Sequence, residues 1–117
     1  MADLDAMLAA CLGFDNQARK AAEKALKQLS GHADYVPELC KRLEAADAQV
    51  RQLAAVLVRK AVSKHFPKLP PEAQARIRAL LLQRVVQEPL HSVRRAIADV
   101  AGAVARIAVP LNQWPAG

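Results

Sequence analysis

Apolar residues recur along this chain at i, i+3, i+4 and i+7, the spacing that gathers them on one face of an α-helix. Six segments carry the pattern. The first joins Leu4, Met7, Leu8, Cys11 and Leu12 and stops at Gly13. Asp15 is placed to cap the second, whose stripe is Ala18, Ala21, Ala22, Ala25, Leu26 and Leu29, with Ser30-Gly31 closing it. The third starts near Tyr35 and turns Val36, Leu39, Cys40 and Leu43 inward. Asp47 caps the fourth, which buries Val50, Leu53, Ala54, Leu57, Val58, Ala61 and Val62. Pro67 to Pro71 interrupts the pattern, because proline cannot continue a helix interior, and Pro71 suits the first turn of the fifth helix. That helix carries Ile77, Leu80, Leu81 and Val85 and ends at Pro89. The sixth carries Val93, Ala96, Ile97, Val100, Ala101, Val104, Ile107 and Ala108 and stops at Pro110. No segment alternates with the period of two that a strand requires. The pattern predicts an all-α fold of three antiparallel hairpins, over about 3–30, 35–66 and 71–109, within one domain at 1–110.

Three of these helices open alike. Asp15-Asn-Gln-Ala18-Arg19 matches Asp47-Ala-Gln-Val50-Arg51 and Leu90-His-Ser-Val93-Arg94, and two small or branched residues follow each arginine at the same offsets. The copies are 32 and then 43 positions apart, within the range of helical-pair repeats. The pattern resembles the second helix of a HEAT repeat. That resemblance implies a right-handed α-solenoid of about three hairpins, each touching only its neighbours, with the second helices lining the concave side. An Asp at the cap satisfies free amides and, in a stack, can reach the Arg of a neighbouring repeat. The third copy has Leu90 in place of the Asp, so such a ladder is expected to be incomplete there. The rival architecture is a closed helical bundle. A solenoid would leave the far side of the third hairpin apolar and exposed; a bundle would cover it.

Composition narrows the class further. The chain has 117 residues, enough for one modest core, and is 53% hydrophobic but only 3% aromatic. Small aliphatic side chains permit close helix approach, and this much apolar content excludes a disordered chain. No apolar run approaches the roughly 20 residues of a membrane span, and the acidic start Met1-Ala-Asp-Leu-Asp5 is unlike a secretory leader. Cys11 and Cys40 lie on apolar stripes and read as reduced core residues, with a disulfide as the weaker alternative. The formal charge of +6 is spread over most helices, which reads mainly as solvated faces.

Catalytic chemistry is not legible. There is no glycine-rich phosphate loop, and His32, His65 and His91 lie far apart without metal-ligand spacing. Cys40 has no nearby histidine in sequence, and Ser30, Ser63 and Ser92 lie in no motif. The chain is expected not to be an enzyme and to use neither cofactor nor metal.

A sharper resemblance lies in three motifs in order. The run Val50-Arg-Gln-Leu-Ala-Ala-Val-Leu-Val-Arg-Lys60, the opening Asp15-Asn-Gln-Ala-Arg-Lys-Ala-Ala-Glu23 and the terminal Leu111-Asn-Gln-Trp-Pro115 resemble the importin-beta (karyopherin-beta) N-terminal domain, particularly its importin-4 branch. The resemblance covers essentially the whole chain. It implies a nuclear transport receptor that shuttles between cytoplasm and nucleus and binds the GTP form of the small GTPase Ran. It implies protein cargo held by repeats beyond this chain, with nucleoporins as further partners and no membrane. The exposed faces of the second helices are the Ran-facing candidates: Lys20, Glu23 and Lys27; Gln52, Ala55, Arg59 and Ser63; and Arg95, Asp99 and Arg106, with Gly102 between the last two. In the family the Asn-Gln-Trp-Pro segment opens a fourth repeat, so 111–117 is expected to be its truncated start, in a fragment of a longer receptor or a truncated product. The alternatives are a generic HEAT-repeat scaffold and a basic solenoid that binds nucleic acid. The scarcity of aromatic residues for base stacking weighs against the latter.

Overall fold

Helix caps and proline breaks divide the chain as its sequence directs. The structure, a computed structural model, describes residues 4–108. The expected start of a fourth repeat at 111–117, the last residues of the third hairpin and the side chain of Ala108 lie outside them. Six α-helices occupy the described residues: α1 (Leu4–Cys11), α2 (Asn16–Leu29), α3 (Tyr35–Lys41), α4 (Ala48–His65), α5 (Pro71–Gln87) and α6 (His91–Ala108). Single 3-10 turns, Arg42–Glu44 and Phe66–Lys68, follow α3 and α4. Asp15 accepts hydrogen bonds from the amides of Gln17 and Ala18 at 2.9 and 3.2 Å, and Asp47 accepts one from Gln49 at 2.8 Å. Each carboxylate satisfies amides that the first helical turn leaves free. Asp15→Ala is expected to lower stability by about 1 kcal/mol, read as a shift in the urea midpoint at unchanged slope.

Consecutive helices pair as hairpins, α1 with α2, α3 with α4, and α5 with α6. Between hairpins the extensive contacts are α4 with α6, α3 with α5, and α1 with α4; the first and third hairpins share none. That is the neighbour-only packing of a repeat stack, not of a closed bundle. The Cα envelope of 46 × 31 × 19 Å fits it, because a slab 19 Å thick holds two layers of helices about 10 Å across. Leu82 and Val86 on α5 and Leu90 after it remain exposed at the third hairpin.

The core runs through the stack as one cluster. Leu4 and Leu8 of α1 join Val36, Leu39 and Cys40 of α3, Ala54, Val58 and Val62 of α4, Ile77 and Leu81 of α5, and Val93, Ile97, Val100 and Val104 of α6. Gln74 is buried because its amide donates to the carbonyls of Phe66 and Leu69, both at 3.0 Å, tying α5 to the turn that precedes it. Two sequence expectations shift. On α2, Ala22 and Leu26 are buried but Ala18 and Ala21 are exposed. On α4, Val50, Leu53, Leu57 and Ala61 are only half-buried, and the deepest arc is Ala54, Ala55, Val58, Val62 and His65. A helix held by α1, α3 and α6 buries a wider and differently centred arc than a one-sided stripe suggests.

The ladder between repeats also differs from the expected form. Asp47 caps its own helix, and Arg19 donates to Asn16 at 2.7 Å, so neither links the first two repeats. At the next step Arg51 meets Glu88 in a two-pronged pair of 2.7 and 3.1 Å, while its third nitrogen donates to the carbonyls of Ala45 and Ala46. Glu88, whose side chain is 0% exposed, supplies the carboxylate that the third copy lacks at Leu90. It lies two residues earlier, and it also accepts from the Leu90 amide at 3.2 Å, so it caps α6 as well.

Candidate functional site

The second helices expose polar stripes because their apolar residues are spent on the stack. On α2, Lys20, Glu23 and Lys27 are exposed. On α4, Gln52, Arg59 and Ser63 are exposed, but Ala55 is 0% exposed and is removed from the candidate face. Ala55 shares the core arc with Ala54, Val58 and Val62, where α4 is packed by three helices. The neighbouring Val56, 40% exposed, completes the stripe at 52, 56, 59 and 63. On α6, Arg95, Asp99 and Arg106 are exposed, and a Cβ placed on Gly102 would lie 3.6 Å from an Arg106 guanidinium nitrogen. Arg106 therefore folds back along its own helix.

These stripes do not form one continuous sheet of side chains. α4 and α6 pack along each other, but α2 reaches the stack chiefly through α1 and makes no extensive contact with α4. A cleft of about 540 Å³ separates them, and Glu23 and Lys27 face Leu53, Leu57 and Lys60 across it. Gln52 and Val56 border a shallower depression with Leu12. Half-buried Leu53 and Leu57 are thus the cleft wall, a role the periodicity alone assigned to the core.

Burial pushes the Cys40 thiol up to about 12. Burial, and then the charge of Glu23, also raises the Cys11 thiol above its ordinary value. Both cysteines are free, and raised thiols make poor nucleophiles. Burial likewise raises the Tyr35 phenol, which keeps its proton. Among the described residues no cluster of His, Cys, Asp and Glu could hold a metal ion, and no helix is long and apolar enough to cross a membrane. What the arrangement offers is surface: exposed helix faces flanking a basic cleft.

Comparison with known proteins gives this surface a context. The family described as Importin-beta N-terminal domain matches residues 22–87, which run from α2 to the end of α5. Importin-4 of Mus musculus and importin-4 of Homo sapiens are each 30% identical to the chain over 115 residues, 97% of its length and 10% of theirs. A probable importin subunit beta-4 of Schizosaccharomyces pombe is 38% identical over 66 residues, 56% of the chain and 6% of that protein. The chain thus spans about a tenth or less of the curated relatives it matches. No solved structure matches it. With the matched domain covering more than half of its residues, on a stack of helical hairpins, the chain belongs to the importin-beta family.

Proposed function

We propose that this chain is the N-terminal part of a nuclear transport receptor, with residues 1–110 as its HEAT-repeat unit. It binds Ran in the GTP form, takes part in the import of protein cargo and shuttles between cytoplasm and nucleus. Cargo is held through further repeats, and the chain itself performs no catalysis. The observation that carries this reading is the set of polar stripes exposed on successive second helices within a family-matched stack. The contact set proposed is Lys20, Glu23 and Lys27 of α2, Gln52, Arg59 and Ser63 of α4, and Arg95, Asp99 and Arg106 of α6. These side chains mix both charge signs, which favours a protein surface of matching pattern over a uniform polyanion.

Calorimetric titration of the chain with Ran tests the reading. The expected result is binding to Ran loaded with a non-hydrolysable GTP analogue and none to Ran with GDP. Arg59→Glu combined with Arg95→Glu should weaken the complex by roughly tenfold or more, since like charges across an interface repel. Equal affinity for the two nucleotide states, or no change on reversing both charges, would remove Ran from this surface.

A further inference from the structure

The cleft between α2 and α4 continues past Leu57 and Lys60 into a smaller cavity of about 240 Å³ at the last turn of α4. Its walls are Ser30, Tyr35, Leu57, Lys60, Lys64 and His65. Lys64 and His65 also border a third hollow that adds Lys68. Two features set this end apart from an ordinary solvated lysine face.

The first is an unbalanced charge. Lys60 and Lys64 stand one helical turn apart on α4, neither pairs with a described carboxylate, and no acidic residue lines the cavity. Glu23 is the acid that lines the cleft, in its other arm. The second is a set of polar atoms without partners. His65 is 92% buried by its 8% exposure, and its ring meets Tyr35 edge-on at 6.4 Å. Among the described residues, neither the His65 ring nitrogens nor the Tyr35 hydroxyl makes a hydrogen bond. Both residues line the cavity. Buried polar groups ordinarily find a partner. The cavity that both residues line is a place for one.

We propose that this cavity binds a phosphate monoester group. A space of about 240 Å³ has room for one charged group. Two ammonium groups balance a dianion, whereas a carboxylate brings one charge and two oxygens and is best read by an arginine fork. The cavity has no arginine. Its remaining donors, the Tyr35 hydroxyl and a His65 ring N–H, are available to the third phosphate oxygen. The carbonyl end of α4 opposes any anion here, so the lysine pair is needed together, not singly.

The test uses the whole chain with ring-labelled histidine and tyrosine, observed by NMR at constant ionic strength. The probes are inorganic phosphate and a short glycine-flanked phosphoserine peptide, compared with its serine and glutamate counterparts. Phosphate-bearing probes should shift His65 and Tyr35 saturably and leave His32 and His91 in place. Lys60→Ala with Lys64→Ala should weaken binding by about tenfold or more, as loss of two charge-assisted contacts requires, with the helical circular dichroism unchanged because both side chains are exposed. Comparable affinity for inorganic phosphate and phosphopeptide identifies free phosphate compounds as the source. Clear preference for the phosphopeptide identifies a phosphorylated side chain of a partner. Shifts that sodium chloride reproduces, a glutamate peptide that binds as well as phosphoserine, or a double variant with undiminished affinity each overturn the proposal. None of these readouts involves Ran, so the Ran assignment stands or falls separately.

Discussion

Val58→Asp is expected to abolish cooperative folding of the chain. Val58 has no exposed surface and sits on α4, the helix that touches α1, α3 and α6 and so holds all three hairpins together. The substitution removes about 1.5–3 kcal/mol of apolar burial. It also asks a carboxylate to enter a site with no partner, at a further cost of several kcal/mol after relaxation. The total approaches or exceeds the whole margin of about 5–15 kcal/mol expected for a small domain. Circular dichroism and a thermal melt provide the measurement, with Arg59→Asp, one residue on and exposed, as the control that keeps both signals. A sharp melt in Val58→Asp within a few degrees of the parent would show that the core is not centred on this arc.

Glu88→Ala should cost about 3 kcal/mol or more, because it strands Arg51 without its carboxylate at the joint between the second and third repeats. It also removes the acceptor for the Leu90 amide at the start of α6. Glu88→Gln separates charge from shape, since the amide retains acceptor capacity but not the ion pair. The pH dependence has a defined sign. Burial alone would raise the Glu88 carboxyl, but hydrogen bonds from Arg51 and the Leu90 amide, with the charges of Arg51 and Arg84, hold it below its ordinary value of 4.5. Because the folded value is the lower one, the stabilisation is complete above the ordinary carboxylate range and is lost as pH falls through the lowered value. Glu38 is lowered in the same direction, by hydrogen bonds from Lys41 and Arg42, and its contribution fades in the same acidic window. Urea midpoints taken from pH 7 down to about pH 3 should therefore fall more steeply for the parent chain than for Glu88→Gln. Parallel curves would mean that the Arg51–Glu88 pair contributes nothing to stability.

The same residue shows where sequence reading stops. The repeated Asp-x-x-Val-Arg opening marked Arg51 as a ladder residue and Leu90 as a gap. Nothing local marks Glu88, since a carboxylate before a proline reads as an ordinary surface residue. Only the packing of α5 against the stack turns it inward. The candidate face shows the same division. Lys20, Glu23, Lys27, Gln52, Arg59, Ser63, Arg95, Asp99 and Arg106 were all legible as exposed from the apolar stripe opposite them. Ala55 was not, because one stripe cannot reveal that a helix is enclosed by three neighbours.

Helix number, order and ends, the hairpin pairing and the family resemblance were determined by sequence, because caps, prolines and 3.6-residue periodicity act over a few residues and need no knowledge of distant partners. The tertiary structure alone decided how far α2 stands from α4, and with it the cleft, the half-buried wall at Leu53 and Leu57, and the enclosure of His65 beside Tyr35. Those features depend on the angle at which one hairpin meets the next. That angle is set by many small contacts between residues far apart in the chain, and no short window of sequence contains them.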